Sequence, residues 1–190
     1  MGSGKSTVAQ ILNSRGFTII DVDKITRQTY QIPGVLALLI EEFGPDICKF
    51  EGDTPKINRP LLAQRAFTSD IKRQRLNEIM HPAMKETAEA LLRNAPERTI
   101  LDAPLLFEAG WDSLVHTTIA VLCPLETRIA RVQQRDGLTR DQIMSRINAQ
   151  IKDYEQRADY LIYNTSDMQQ LTRQIENIIR NAECGIEMQN

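Results

Sequence analysis

The six residues Gly2-Ser3-Gly4-Lys5-Ser6-Thr7, at the start of the chain, constrain its fold more than anything that follows. Val8, Ile11 and Leu12 recur behind them at helical spacing, and Gly16 supplies a stop. Glycines let successive backbone N–H groups turn inward around an anion, in conformations that a Cβ penalises. A helix beginning at about Lys5 adds its N-terminal dipole and its unpaired N–H groups. Lys5 can reach the β- and γ-phosphates of a nucleotide, and the Ser6 hydroxyl can ligate Mg²⁺. The pattern matches the second half of a P-loop, G-x-x-x-x-G-K-[ST], and predicts that Gly2 to Thr7 bind ATP. The competing reading is an ordinary glycine turn with a capping serine.

Counted back from Gly4, the first glycine of the full motif falls two positions ahead of Met1. The strand that feeds such a loop is absent too. In P-loop folds it lies in mid-sheet, so its loss leaves unpaired backbone groups and an open apolar slot. The sequence therefore predicts that Met1 is an internal methionine of a longer chain. It also predicts that the polypeptide in this form is poorly stable or inactive.

Behind the first helix, Phe17 to Ile20 reads as a short strand ending at Asp21-Val22-Asp23. Helical patterns then dominate from Lys24 to about Asn94, broken by turn signals at Pro33-Gly34, Gly44-Pro45 and Glu51-Gly52-Asp53. Strands return at 99–101, 117–122 and 159–162. Helices are predicted at 125–135, 139–150 and 168–182. Strands alternating with helices predict an α/β fold of the P-loop NTPase type, three-layered with a parallel sheet. The core would span 1–26, 96–124 and 157–184, with a helical acceptor-binding insertion at about 27–95 and a small lid at about 125–156.

In such sheets ligands collect beyond the carboxyl ends of the strands. Asp21 and Asp23 would share one face there if the chain stays extended. Asp23 could accept the proton of an attacking hydroxyl or hold the Mg²⁺ shell; otherwise it is the cap of a helix starting at Lys24. Asp102, ending the strand at Ile100-Leu101, stands where a Walker-B-like carboxylate would sit; otherwise Asp102 to Glu108 is a rigid turn with Phe107 packed. Arg128, Arg131 and Arg135 recur at i, i+3 and i+7 on one helix face, with Arg140 and Arg146 beyond. As a cluster they fit a lid closing over a transferring phosphoryl group; singly, they fit a solvated face with Asp136, Asp141 and Asp153 as counter-charges.

These residues together resemble the dephospho-coenzyme A kinase family, over nearly the whole chain. The landmarks are Gly2 to Thr7, Ile20-Asp-Val-Asp23 with Arg27, Asn58-Arg59 and Met80-His81-Pro82. They continue through Pro104 to Glu108, Arg135 to Arg140, Arg146 to Gln150 and Ala158 to Asn164. The resemblance implies ATP-dependent phosphorylation of the ribose 3′-hydroxyl of dephospho-coenzyme A. By it Asp23 is the base, and Lys5 and Arg135 steady the phosphoryl group. Arg140 and Asn164 contact ATP, Asn164 at the base. Arg59, His81, Pro82, Leu105, Phe107 and Glu108 hold the acceptor. Apart from the family, His81 reads as packing and Pro82 as a helix kink.

Another small-molecule P-loop kinase, with a nucleoside monophosphate or sugar acceptor, and an inactive truncated product are the alternatives. A net charge of −2 gives no basic field for nucleic acid. The apolar runs fall short of the ~20 residues that span a bilayer. Cys48, Cys123 and Cys184 lie far apart and read as free thiols of a cytoplasmic protein.

Overall fold

The computed structural model describes residues 1–52, 54–148, 153–165 and 167–187. In chain order the elements are α1 (Lys5–Ser14), β1 (Thr18–Asp21), α2 (Val22–Thr29), α3 (Pro33–Phe43), β2 (Cys48–Glu51) and β3 (Thr54–Ile57). Then come α4 (Arg59–Ala66), α5 (Asp70–Arg93), β4 (Thr99–Asp102), β5 (Ile119–Leu122), α6 (Leu125–Asp136) and α7 (Arg140–Asn148). The chain closes with α8 (Tyr154–Arg157), β6 (Tyr160–Tyr163) and α9 (Met168–Glu187). It divides into two compact units, Met1–Ile19 with Arg98–Asn190, and Ile20–Glu97.

The first unit is built on parallel strands. β5 and β6 pair in parallel from Ile119 opposite Tyr160 to Leu122 opposite Tyr163. At the amino end of β1, the Thr18 N–H donates to the Arg98 carbonyl just ahead of β4, at 2.9 Å. One apolar core takes Val8 and Leu12 from α1, Ile162 from β6, and Leu171, Ile175 and Ile178 from α9. Spacings of four and three in α9 place its trio on one stripe. Each such buried side chain contributes about 1.5–3 kcal/mol. A smaller core joins Ile129 and Val132 of α6 to Ile143 of α7.

The strand expected from Thr117 begins two residues later, at Ile119. The cause is a side-chain clamp. Asp159 accepts from the Thr118 N–H at 2.8 Å and from the Thr118 hydroxyl at 2.7 Å, and its own N–H donates back to that hydroxyl at 3.1 Å. These bonds hold the Asp159 carboxyl below its usual range. A carboxylate depressed on folding stabilises the native state above its unfolded pKa, and that contribution is lost as acid protonates it, below about pH 4. Urea midpoints measured from pH 7 to pH 3 should therefore fall more steeply in the natural protein than in Asp159→Asn. Parallel slopes would show that the clamp carries no pH-dependent stability.

The second unit is largely helical, and its buried side chains include Ile25, Leu39, Phe43, Ile47, Leu62, Met80 and Met84. Ser69 caps α5 by accepting from the Lys72 N–H, and Asn58 caps α4 by accepting from Leu61. Two expectations fail here. The stretch read as helices broken by a turn contains an antiparallel hairpin, Cys48 opposite Ile57 through Glu51 opposite Thr54. Each of its strands mixes charged residues with isolated apolar ones, so no apolar run marks it, and Pro55 sits at an edge, where its missing N–H is tolerated. Second, the helix expected at Lys24 begins at Val22. Asp21, not Asp23, is its cap, accepting from the Asp23 N–H at 2.9 Å. The two aspartates therefore do not share the face of an extended strand.

Pro82 lies inside α5, which runs unbroken from Asp70 to Arg93. The helix absorbs the missing Pro82 N–H, which costs it one bond to the Glu78 carbonyl. Residues 149 and 150, at the end of the helix expected after Thr139, lie outside the described residues. The short α8 gave no readable pattern. None of the described helices is long and apolar enough to cross a membrane.

Candidate active site

The first unit gathers Lys5, Arg128 and Arg131 at the amino end of α1. Gly4, immediately ahead of the helix, has φ +91°. That left-handed conformation is costly for any residue with a Cβ. Space forbids a side chain as well, since a Cβ on Gly4 would lie 2.0 Å from Nδ2 of Asn164. The first bonds of α1 run from Thr7 and Val8 back to the Gly4 carbonyl, at 3.0 and 3.1 Å. The N–H groups of Lys5 and Ser6 therefore precede the helix's own ladder and can serve an anion. The Ser6 side chain is exposed there.

Lys5 Nζ makes an ion pair with Asp102 Oδ1, across 97 residues of sequence. The lysine side chain is 41% exposed and the carboxylate 17%, so the pair stands at the edge of solvent with the aspartate the more enclosed. β4 ends at Asp102, and that strand end sets the carboxylate in front of the glycine turn. Asp102 is thus both the end of a strand and the ion-pair partner of Lys5.

Helix α6 lines the turn from another side. Gly2 packs against the backbone of Arg128, and Arg128 Nε donates to the Met1 carbonyl at 2.9 Å. Arg131 reaches Cys123 Sγ and Asn164 Oδ1, both at 3.5 Å. The terminal amine of Met1 is pushed down to about 6, first by burial, then by Arg128, Lys5 and Arg135.

The proposed lid arginines divide. Arg128 and Arg131 face the turn. Arg135 is bidentate to Asp136 at 2.7 Å, and Arg140 is bidentate to Glu126 at 2.8 and 2.6 Å. These pairs hold Asp136 and Glu126 below the usual carboxylate range. Both arginines are exposed, so for Arg135 and Arg140 this structure has the solvated-face arrangement with local counter-charges. Asp136 was among the expected counter-charges; Glu126 gave no signal, lying fourteen residues from Arg140.

Asn164, expected at the ATP base, lies against the glycine turn. It is 6% exposed, and Nδ2 donates to the Ser3 carbonyl at 2.9 Å. Its polar atoms are turned into the glycine turn rather than toward open solvent. The segment after β4 keeps Phe107 buried, with Leu105 and Glu108 exposed. The Arg157 guanidinium covers the Phe107 ring at 4.6 Å, and the Tyr154 hydroxyl donates to Glu108 Oε1 at 2.8 Å. Burial and that carboxylate push the Tyr154 phenol above its ordinary value. This second contact, between α8 and the 105–108 segment, was invisible in the sequence.

In the second unit Asp23 is exposed in the first turn of α2, and Arg59 is the exposed first residue of α4. Arg59 lies close enough to Tyr30 to oppose the burial that raises its phenol. His81 is half-buried in α5, and burial lowers its imidazole below the ordinary value.

A sequence model of dephospho-CoA kinases matches residues 1–170. The chain belongs to the dephospho-CoA kinase family. It is 35% identical over 187 residues to a dephospho-CoA kinase of Corynebacterium glutamicum, covering 94% of this chain and 92% of the relative. A crystal structure of a Thermus thermophilus protein superposes with a TM-score of 0.79 at 32% identity, over 95% of this chain and 93% of that one. A dephospho-CoA kinase from Campylobacter jejuni superposes with a TM-score of 0.69 at 24% identity, covering 97% and 94%, and speaks to the fold alone. The dephospho-CoA kinase family has the α/β, P-loop type of fold expected from the sequence. Its activity is ATP-dependent phosphorylation of dephospho-CoA in coenzyme A biosynthesis.

Proposed function

We propose that this chain moves the γ-phosphate of ATP to the ribose 3′-hydroxyl of dephospho-CoA, with the glycine turn, Lys5 and Asp102 as its phosphate-handling centre. The observation that carries the reading is the Lys5–Asp102 pair set in front of the Gly4 turn. The acceptor oxygen attacks the γ-phosphorus, the bond to the ADP oxygen breaks, and ADP leaves with the charge. Lys5 and the N–H groups at the head of α1 stabilise the charge spread over the phosphoryl oxygens. Arg128 and Arg131 supply the field that draws the polyphosphate in.

The donor set suits Mg²⁺, a hard cation usually held by one or two protein oxygens together with substrate phosphates. Ser6 and Asp102 are the oxygens that would hold it, and bound there it would neutralise charge on the β- and γ-phosphates. Asp23 takes the proton of the 3′-hydroxyl. Arg59, His81 and Pro82, with Leu105, Phe107 and Glu108, belong to acceptor binding in this reading, and Arg135 and Arg140 serve ATP only after leaving Asp136 and Glu126. Cys48 and Cys123 are unpaired thiols, which suits a cytoplasmic enzyme of small-molecule substrates.

The test is a coupled ADP-release assay with ATP and Mg²⁺ over dephospho-CoA, a nucleoside monophosphate and a free sugar. Turnover is expected with dephospho-CoA. Asp23→Asn should lower kcat by about 10²-fold or more if the carboxylate is a general base. A variant that keeps about a tenth of the activity would sink that role, because a loose transition state needs little base strength.

A further inference from the structure

Among the described residues the buried polar side chains are Thr29, Thr118 and Asn164. Thr29 donates to the Ile25 carbonyl of its own helix, and Thr118 belongs to the Asp159 clamp. Asn164 instead reaches across 161 residues to the glycine turn. We infer that Asn164 is a positioning residue that sets the phosphate-binding turn, so that it governs phosphate affinity through the backbone and not by touching the nucleotide base. The inference rests on the proposal that this turn binds the phosphates of ATP.

The argument is one of peptide geometry. The Asn164 N–H donates to the Leu122 carbonyl at 2.8 Å, continuing the β5–β6 ladder one step and fixing the residue to the sheet. From that base Nδ2 holds the Ser3 carbonyl at 2.9 Å. In a planar trans peptide the C=O and the following N–H point in opposite directions. Anchoring the Ser3 oxygen toward Asn164 therefore aims the Gly4 N–H away from it, into the space ahead of α1. Arg131 Nη2, 3.5 Å from Oδ1, orients the amide with its nitrogen toward Ser3. A leucine in place of this amide would keep its shape and lose the donor.

The decisive probe is inorganic tripolyphosphate, which has phosphates and no base. Its inhibition constant against ATP would be measured for the natural protein, Asn164→Ala, the uncharged and nearly isosteric Asn164→Leu, and Lys5→Ala. Both Asn164 variants should weaken tripolyphosphate and ATP by the same factor, about tenfold, as expected for one lost buried hydrogen bond. KM for dephospho-CoA should not move. Unchanged tripolyphosphate inhibition, or a larger loss for ATP than for tripolyphosphate, would overturn the inference and return Asn164 to the base. Should Asn164→Ala not fold, Asn164→Leu carries the same comparison. If Lys5→Ala also leaves tripolyphosphate inhibition unchanged, or the natural protein does not bind it, the phosphate-turn reading itself falls.

Discussion

Replacing Lys5 with alanine is expected to lower kcat/KM by about 10²–10³-fold, the range for removing one preorganised group from a developing charge. The loss should sit mainly in kcat, because charge on the transferring phosphoryl group is greatest in the transition state. The variant also removes the partner of Asp102, whose carboxylate is largely enclosed. Asp102→Asn separates the two effects. It leaves Lys5 without its counter-charge and exchanges the anionic candidate metal ligand for a neutral amide oxygen, so its activity should respond more steeply to Mg²⁺ concentration than that of Lys5→Ala. A Lys5→Ala protein that keeps most of its kcat would mean that Lys5 serves Asp102 and not the phosphate.

The second large effect is expected at Gly4. Gly4→Ala carries two penalties: about 1–2 kcal/mol for an L-residue in the left-handed region, and a Cβ placed 2.0 Å from the Asn164 amide. The turn must deform or Asn164 must leave Ser3. ATP binding should fall by about 10²-fold or more, beyond the roughly fivefold to thirtyfold that the backbone cost alone corresponds to. Gly137 is the control, since it has φ +66° but a Cβ added there would meet nothing within 4 Å. Gly137→Ala should bear the conformational cost only, read as a small drop in the urea midpoint with ATP affinity kept. Equal effects at the two glycines would show that the close contact with Asn164 is irrelevant to binding.

Local chemistry was legible in the sequence because it is written in adjacent residues. Glycines around a serine, then lysine and serine, specify an anion-binding turn and the start of α1 without help from the rest of the chain. The helix predicted at 168–182 is α9, and the strand ending at Asp102 was readable from Ile100 and Leu101. The hairpin at 48–57 was not, since Cys48-Lys-Phe-Glu51 and Thr54-Pro-Lys-Ile57 contain no apolar run of the kind that marked β4.

What pairs with what was decided only by the tertiary structure. Lys5 and Asp102 lie 97 residues apart, and Ser3 and Asn164 lie 161 apart. No spacing rule reaches that far; strand ends brought together by a common core set both distances. The arginines of α6 make the same point at closer range. Helical periodicity placed Arg128, Arg131 and Arg135 on one face, but only folding determined which of them meet the turn and which meet a neighbouring carboxylate. The sequence by itself determined the kind of chemistry, because residue type and short spacing define an anion site. The structure decided the partners, because each depends on how elements distant in the chain are packed.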